Sequence, residues 1–406
     1  MEHDDGGAGC VDVNERSRAD AGLIAIVHLK GDFDTVPALR STVALLLGHG
    51  YAVDIIYVHD PAFLPPQFES AAVTLVALPR LPRRVLPTSL RRIVEALLWL
   101  FQAFRHCLGK SYTCLIGVDP VGLIVSGLLA ILLRAPLAYF SLELYLSREI
   151  TSLHIKLMKT LERFFNQRCL FTIIQDQERA RLLVGENRLS PEKIILLPNS
   201  PLGPARRNPS DYLQKKLGLP VGKKVILYAG ALAEWTYTPE LIQAARQWPD
   251  DWTLVIHSRQ QGNELGLDLA DFPWVRSSGG PVPYAELPAL ISSADVGLVL
   301  YRNASTIWQG DNMTYVGLSS GKLAQYLRCG VPVAVIAFPG LCELIERYRC
   351  GICVQEVPEL QEAIATILAH YQDYSQGALA CFSEVFDFER HFDAVLARLH
   401  EMATIP

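Results

Sequence analysis

The feature that most constrains the fold is an alternation of short apolar, β-branched runs with helical segments, which occurs twice along the chain. The first series opens with LIAIVHL (23–29) and YAVDIIYV (51–58), and the second opens with KVILYAG (224–230) and WTLVIHS (252–258). Such an alternation is typical of parallel α/β sheets, because a crossover helix follows each strand. The sequence therefore predicts two doubly wound, Rossmann-like α/β domains.

A stretch rich in proline and polar residues (197–212) separates the two series and is predicted to be a linker. The divisions that follow are a disordered polar tail (1–20), an N-terminal domain (21–204), a C-terminal domain (205–380) and a last segment (381–406) whose helix packs back on the first domain. Two facing sheets of this kind form a cleft at the carboxyl ends of their strands, and such a cleft is the default ligand site.

Composition and charge exclude several classes of protein. The chain has 406 residues, half of them apolar, and a formal net charge of −5, which gives no reason to expect nucleic-acid binding. Its nine cysteines are scattered, and the single CxxC, at Cys350 and Cys353, has no second pair, so we expect neither a disulfide framework nor a zinc site. The polar start carries no secretory signal, and Arg134 and Pro136 interrupt the most apolar stretch (121–140), so we expect no membrane span and a reducing, cytoplasmic setting.

The stretch LSSGKLAQYLRCGVPVAV (318–335) is predicted to form a loop, a short helix and a buried strand. Ser319 or Ser320 is a suitable N-cap, and Gly330 stands where a left-handed C-terminal residue is favoured. Lys322 falls in the first helical turn, where the helix macrodipole disfavours a cation by about 0.3–1 kcal/mol. Either an anion binds at this helix start and favours the lysine, or the lysine is an ordinary solvated surface residue.

A second unusual segment, from Arg80 to Lys110, combines many basic residues with apolar residues at helical spacing. A basic amphipathic helix fits a membrane interface, where anionic lipid attracts the arginines. The alternative is an ordinary crossover helix with a solvated arginine face. The residues expected to make membrane contact are Arg83, Arg84, Arg91, Arg92 and Trp99. Of these, Arg92 and Trp99 share the face opposite the apolar row, and Trp99 is predicted to be exposed.

With the two predicted sheets, the stretch 317–335 resembles the donor-binding signature of GT-B glycosyltransferases, of the large retaining group that uses nucleotide sugars (glycosyltransferase family 4-like). Weaker resemblances occur in the family's order at LPNSP (197–201), LYAGALAEW (227–235), PYAELPALISSADVGLVLY (283–301) and the pair ELI (343–345) and CGI (350–352). They span nearly the whole chain after the tail. The resemblance implies two facing Rossmann-like domains, the first for the acceptor and the second for the donor.

The resemblance also implies roles for individual residues. The amides of 318–320 and the Lys322 amine would receive the donor diphosphate. Gln325 would hold ribose hydroxyls, and Tyr284 would border the base. The full set of implied donor-binding residues is Gly31, Gly230, Tyr284, Leu318, Ser319, Ser320, Lys322 and Gln325. No cofactor and no metal are expected beside the nucleotide sugar.

Two departures from the family pattern concern charge. After the glycine turn the family often has an arginine and a lysine, whereas this chain reads Ala-Leu-Ala-Glu-Trp (231–235). The family also often carries two glutamates eight residues apart, where this chain has Gly317 and Gln325. A glutamine still forms hydrogen bonds with hydroxyls, so ribose binding is retained in principle.

Transfer from a nucleotide sugar creates negative charge on the departing diphosphate and positive character on the sugar ring carbon. Three carboxylates at predicted strand ends are candidates for stabilising the positive charge: Asp32, Asp119 and Glu143. Asp119 has an alternative role as a helix N-cap, and Glu143 as a member of a structural pair. Asp32 and Asp34 match a D-x-D metal motif, but they follow the first strand too early for that role, so no metal is expected.

The resemblance thus implies a glycosyltransferase that moves a sugar from a nucleotide-diphosphate sugar to a lipid-linked or saccharide acceptor in cell-surface glycan synthesis, and we expect it in the cytoplasm at the inner face of the cell membrane. A non-catalytic GT-B-like binding subunit is one alternative, which the missing charges after Gly230 favour. A nucleotide-sugar epimerase is another, and it should carry more acidic residues and histidines around the sugar.

Overall fold

The computed structural model describes residues 21–81, 88–258, 265–302 and 310–403. Its first domain is built on a seven-stranded sheet in the order β3-β2-β1-β4-β5-β6-β7, with every neighbouring pair parallel. The strands are β1 (Gly22–His28), β2 (Tyr51–Val58), β3 (Val73–Leu78), β4 (Cys114–Val118), β5 (Leu137–Phe140), β6 (Thr172–Ile174) and β7 (Ile194–Leu196).

Helices cover both faces of this sheet. Their bounds are α1 (Pro37–Gly48), α2 (Thr88–Cys107), α3 (Asp119–Leu133), α4 (Leu153–Asn166) and α5 (Gln177–Asn187). Helix α1 packs on one face, and α2 to α5 pack on the other. Helix α3 lies very close to the strands, because a Cβ on Gly122 would stand 2.4 Å from the Val27 carbonyl oxygen. Because β1, β4 and β5 are parallel neighbours, their carboxyl ends lie at one edge of the sheet.

The second domain is built on a six-stranded parallel sheet in the order β10-β9-β8-β11-β12-β13. Its strands are β8 (Lys224–Ala229), β9 (Trp252–His257), β10 (Val275–Ser277), β11 (Val296–Val299), β12 (Val333–Ile336) and β13 (Gly351–Val354). Its helices are α6 (Tyr212–Leu217), α7 (Thr238–Ala245), α8 (Leu287–Ser292), α9 (Gly310–Thr314), α10 (Gly321–Arg328), α11 (Leu341–Tyr348), α12 (Leu360–Ala369) and α13 (Tyr371–Cys381). The two doubly wound sheets confirm the predicted fold class.

The last helix, α14 (Phe388–Ala403), belongs to the core of the first domain. It follows a π-helical turn (Phe382–Phe386), and the buried rings of Phe388 and Phe392 stack on each other in that core. At the crossing between domains, the Ser200 hydroxyl donates to the Phe386 carbonyl at 2.6 Å. The chain therefore passes between the domains twice, and this hydrogen bond connects the two crossing segments.

One cross-link was not predicted from the sequence. Cys342 in α11 and Cys353 in β13 form a disulfide, whereas Cys350, the other half of the CxxC, is buried and unpaired. The spacing of the cysteines carries no signal for this pairing, because it depends on β13 returning beside α11 in the fold.

Helix α2 has the opposite orientation to the one predicted. Trp99 packs towards the sheet and donates its indole N–H to the Pro79 carbonyl at 2.7 Å, while Leu97 and Phe101 are exposed. Arg91 is half-buried beside Glu95. Arg83 and Arg84 lie outside the described residues, as does the side chain of Arg92. No helix in the described part of the chain is both long and apolar enough to cross a membrane.

Candidate active site

A cavity of about 880 Å³ lies between the two domains. The carboxyl ends of β1, β8 and β9 open towards it, as does the start of α10. Residues that line it include Asp32, Asp34, Arg40, Phe68, Glu143, Asn199, Gly230, Trp235, His257, Tyr284, Gly321, Lys322 and Gln325. It therefore has both charged walls and apolar walls, and residues from both domains and from the linker meet in it.

The Lys322 amine is the most unusual group in this cavity. Its Nζ lies 4.6 Å from the ring centroids of both Tyr228 and Tyr301, and 3.4 Å from the Tyr228 hydroxyl. Burial without a partner of opposite charge lowers the pKa of Lys322 to about 7. Among the described residues, no carboxylate forms an ion pair with this amine. A buried lysine with a lowered pKa and no carboxylate partner is suited to receive an anion.

Gly230, at the end of β8, leaves the space that the Lys322 side chain occupies. A Cβ on Gly230 would stand 2.9 Å from Lys322 Nζ and 3.4 Å from the Tyr228 hydroxyl. The absence of a side chain at Gly230 therefore leaves room for the Lys322 amine.

The start of α10 has two backbone amides with no acceptor within the described chain. Ser320 is the N-cap, and its hydroxyl accepts from the Leu323 amide at 3.3 Å and bonds to the Tyr301 hydroxyl at 2.8 Å. The two free amides are those of Gly321 and Lys322, which lie between Ser320 and Leu323 at the positive end of the helix. Since both residues line the cavity, this helix start is open to an anion.

The prediction that the amides of residues 318–320 receive the diphosphate is wrong in its residues. The Ser319 amide donates to the Val316 carbonyl at 2.8 Å, and the Ser320 amide to the Gly317 carbonyl at 3.3 Å, within a 3-10 turn. The Leu318 amide interacts with the Asp176 carboxylate. All three amides therefore donate within the chain. The amides that remain available are those of the next two residues, Gly321 and Lys322.

Tyr284 and Gln325 lie together on the wall formed by the second domain. Gln325 is buried, and its side chain interacts with the Tyr284 hydroxyl. The Arg40 guanidinium of the first domain lies 4.5 Å from the Tyr284 ring centroid and 4.4 Å from that of Phe68. Arg40 also donates to Asp34 at 2.8 Å, although burial still raises the pKa of Asp34. The Arg40 guanidinium, held between the rings of Phe68 and Tyr284, thus connects the cavity walls of the first and second domains.

Asp32 lies at the cavity edge and is tied to its own strand. The His28 ring, buried at the end of β1, bonds through Nε2 to Asp32 Oδ1 at 2.7 Å. The Asp32 carbonyl accepts from the Thr35 amide and hydroxyl, which closes the turn before α1. This leaves an oriented carboxylate in the cavity wall.

Gly31, in contrast, faces its own domain and does not line the cavity. A Cβ on Gly31 would stand 2.4 Å from the Asp60 Cβ. Its lack of a side chain therefore allows two loops of the first domain to pack, which corrects the predicted donor contact.

Asp119 is neither the N-cap nor a group in the cavity. It is the first residue of α3, it follows β4 with no intervening loop, and this abrupt turn gives it a φ of 56°. Its carboxylate accepts from the Lys30 amine at 2.7 Å and from the amides of Leu142 and Glu143 at 3.0 and 2.9 Å. Burial alone would lower the pKa of Lys30, but Asp119 and other nearby acidic groups raise it well above its ordinary value. Asp119 therefore fixes the loop that carries Glu143.

Glu143 lines the cavity and is held from both domains. Its amide is fixed by Asp119, and its carboxylate accepts from the side-chain amide of Asn312 at 2.5 Å. The Asn312 oxygen in turn accepts from the Leu144 amide at 2.8 Å and from Arg179 at 2.9 Å. The fully buried Arg179 also donates to the carbonyls of Asn312 and Tyr315. Through Asn312, Glu143 and Arg179 thus connect the first domain to the second.

Several of these residues were missed at the level of sequence. Arg179 sits in a charged helical segment, and Asn312 in a short polar one, with nothing local to mark either. Asn199 had a weak signal, because it belongs to the LPNSP segment. Its side chain accepts from the Ala38 amide and donates to the Ser319 carbonyl, so it joins the first domain to the turn before α10. Among the described residues, no group of three or more histidines, cysteines or carboxylates is arranged to hold a metal.

Comparison with known proteins agrees with this architecture. Residues 272–384, which include α10 and Lys322, match the family model of the glucosyltransferase 3-like C-terminal domain. A search of curated proteins gave no match.

Solved structures match over nearly the whole chain. A sucrose-phosphate synthase from Thermosynechococcus elongatus has a TM-score of 0.67 at 16% identity, over 94% of this chain and 100% of that one. HepE from Anabaena, solved in complex with UDP-glucose, has a TM-score of 0.66 at 17% identity with the same coverage. WaaG, a glycosyltransferase involved in lipopolysaccharide biosynthesis, has a TM-score of 0.59 at 14% identity, over 92% of this chain and 98% of that one. The chain has the fold of the GT-B glycosyltransferases.

Proposed function

We propose that this chain is a glycosyltransferase that transfers a sugar from a nucleotide-diphosphate sugar, bound in the cleft with its diphosphate at Lys322. The single observation that carries the proposal is the Lys322 amine, which has no carboxylate partner among the described residues and faces the cavity beside the start of α10. The match of residues 272–384 to a glucosyltransferase 3-like domain supports it, since that segment contains this site. Fold alone does not establish an activity, so the argument depends on the site.

The chemistry follows from the positions of the charges. The Lys322 amine and the amides of Gly321 and Lys322 stabilise the negative charge that grows on the leaving diphosphate, without reorganising during the reaction. Gln325 and Tyr284 meet the ribose and the base. Glu143 and Asp32 stand on the wall of the first domain, where their carboxylates stabilise positive character on the sugar ring carbon.

The acceptor is bound by the first domain, and we infer that it is a lipid-linked or saccharide acceptor used in cell-surface glycan synthesis. The apolar part of the cavity wall, which includes Leu64, Phe68 and Leu75, supports an acceptor with some apolar surface. The resemblance to the retaining group suggests that the product keeps the anomeric configuration of the donor. NMR of the product would test that directly.

A second candidate function is a binding subunit without turnover. One observation favours it: the turn after Gly230 supplies no second cation, and Leu232 and Ala233 there are buried. Such a subunit would still bind a nucleotide sugar at Lys322, but it would release no nucleoside diphosphate.

Incubation with a panel of nucleotide-diphosphate sugars and candidate acceptors separates these functions. A transferase releases nucleoside diphosphate in proportion to glycosylated product. A binding subunit shows saturable binding with no release. The proposal fails if no member of the panel binds.

A further inference from the structure

Helix α2 presents an apolar row to solvent. Ile93, Leu97 and Phe101 recur on one face, and exposed Leu108 follows directly after the helix; Leu97 and Phe101 are 63% and 57% exposed. The opposite face, with Ala103 and Cys107, is the one that packs on the sheet. An amphipathic helix in a globular protein normally buries its apolar row, so an outward row marks a contact surface.

The neighbouring helices extend this row. In α4, Leu153 is 82% exposed, and Leu157 and Phe164 follow it on the exposed face. In α3, which packs between α2 and α4, Ile131 and Leu132 at the last turn are exposed as well. All three helices cover the same face of the sheet. We call these exposed residues of α2, α3 and α4 the apolar face.

The exposed charges on the three helices of the apolar face have one sign. The three helices contain three carboxylates, Glu95, Asp119 and Glu162, and all are buried. The exposed charged residues on or next to these helices are Arg105, Arg134, Lys156 and Arg168. The whole chain has a net charge of −5, so this surface differs in sign from the rest of the molecule.

We propose that the apolar face docks on the surface of an anionic lipid bilayer. Leucine, isoleucine and phenylalanine side chains enter the boundary between headgroups and acyl chains, and the cations around them meet anionic headgroups. A second copy of the chain is a poorer occupant, because a two-fold contact places the same cations against each other.

This docking places the cleft close to the lipid. Leu153, the most exposed residue of the face, begins α4, and Glu143 lies in the loop that leads into that helix. The docking thereby adds to the proposed function a reason for a lipid-linked acceptor, while its test is independent of sugar transfer.

Vesicle co-sedimentation of the whole chain tests the proposal. Vesicles of equal parts phosphatidylglycerol and phosphatidylcholine should bind the wild type, and vesicles of phosphatidylcholine alone should bind it about tenfold more weakly. The double variant Leu97→Ser, Phe101→Ser should weaken binding to the anionic vesicles by about tenfold or more. Charge reversal by Arg105→Glu with Arg134→Glu should do the same.

Matched controls come from the second domain. Val221 is fully exposed and Lys216 is exposed, and neither lies near the apolar face. Val221→Ser and Lys216→Glu should leave vesicle binding unchanged. Nucleotide-sugar binding measured on the same variants should not change, which separates failure of the docking from failure of the proposed function.

Three results would overturn the docking. The first is no vesicle binding by the wild type. The second is equal binding by the wild type and the Leu97→Ser, Phe101→Ser variant. The third is a wild-type dimer that this variant converts to a monomer in light scattering, which would make the apolar face an interface between copies of the chain.

Discussion

The side-chain amide of Asn312, in the second domain, donates a hydrogen bond to the carboxylate of Glu143, in the first. The same Asn312 accepts from Arg179, which is buried against the carbonyls of the second domain. The orientation of a carboxylate in the cavity wall therefore depends on the two domains being in contact.

Removing the donor at Asn312 should impair turnover more than binding. In Asn312→Ala the Glu143 carboxylate loses its partner, and we expect kcat to fall by about ten- to a hundredfold with a small change in donor KM. Steady-state kinetics of nucleoside diphosphate release measures both constants. Thr314→Ser, on the same helix, is the control and should behave as wild type. A raised KM with unchanged kcat would contradict this role.

Gly230→Ala should weaken donor binding without unfolding the protein. The added Cβ would stand 2.9 Å from Lys322 Nζ, so the amine must move, whereas the backbone of Gly230 is not in the left-handed region. We expect the donor Kd to rise about tenfold, measured by calorimetry. Gly185→Ala is the matched control, because a Cβ there meets nothing within 4 Å. Equal donor affinity in Gly230→Ala and wild type would show that the lysine is not confined as described.

Donor affinity should fall as the pH rises. Burial lowers the pKa of Lys322 to about 7, so in the free protein the amine is charged below that pH and neutral above it. A diphosphate stabilises the charged form, so binding above pH 7 takes up a proton, and the Kd should increase by up to about tenfold per pH unit. Calorimetry from about pH 6 to about pH 9 follows this change.

Lys322→Arg is the control for the pH profile. Its guanidinium stays charged over the whole range, so its Kd should be independent of pH even if the affinity itself is lower. A flat profile in the wild type would mean that the amine remains charged in the free cleft.

Loss of the Asp119 carboxylate should destabilise the first domain. In Asp119→Ala the half-exposed Lys30 amine and two backbone amides lose their shared acceptor, and the free energy of unfolding should fall by about 1–3 kcal/mol. Asp119→Asn keeps an oxygen for the amides and should lose less. Urea unfolding measures both, and Asp373→Ala, at an exposed carboxylate, should be neutral. A neutral Asp119→Ala would contradict the role of this carboxylate in fixing the loop.

The sequence predicted those features of the fold and the site that neighbouring residues specify by themselves. The alternation of apolar runs gave both sheets, because each strand and helix is specified by its own residues. Lys322 was a candidate because a cation in the first turn of a helix is itself anomalous. Asn312 and Arg179 had no local signal, since their roles arise from contacts between residues far apart in the chain.

Two predictions failed because contacts in the folded chain, which the local sequence pattern does not specify, decided the orientation of a side chain or a helix. Asp119 resembles an N-cap in the sequence, but the direct passage from β4 to α3 turns its carboxylate towards Lys30. Helix α2 has apolar residues on both sides, so the pattern alone did not decide which side meets the sheet. Trp99, which is half-buried, packs on the sheet side, and its indole N–H donates to the Pro79 carbonyl.

The most direct test of the central claim is calorimetric titration of wild type and Lys322→Met with the nucleotide-diphosphate sugars of the panel, UDP-glucose among them. Methionine keeps the apolar stem between Tyr228 and Tyr301 and removes only the charge. The account predicts that at least one donor saturates the wild type, and that its Kd rises by about ten- to a hundredfold in Lys322→Met. Equal affinity in the two proteins, or no saturation by any donor, would contradict it.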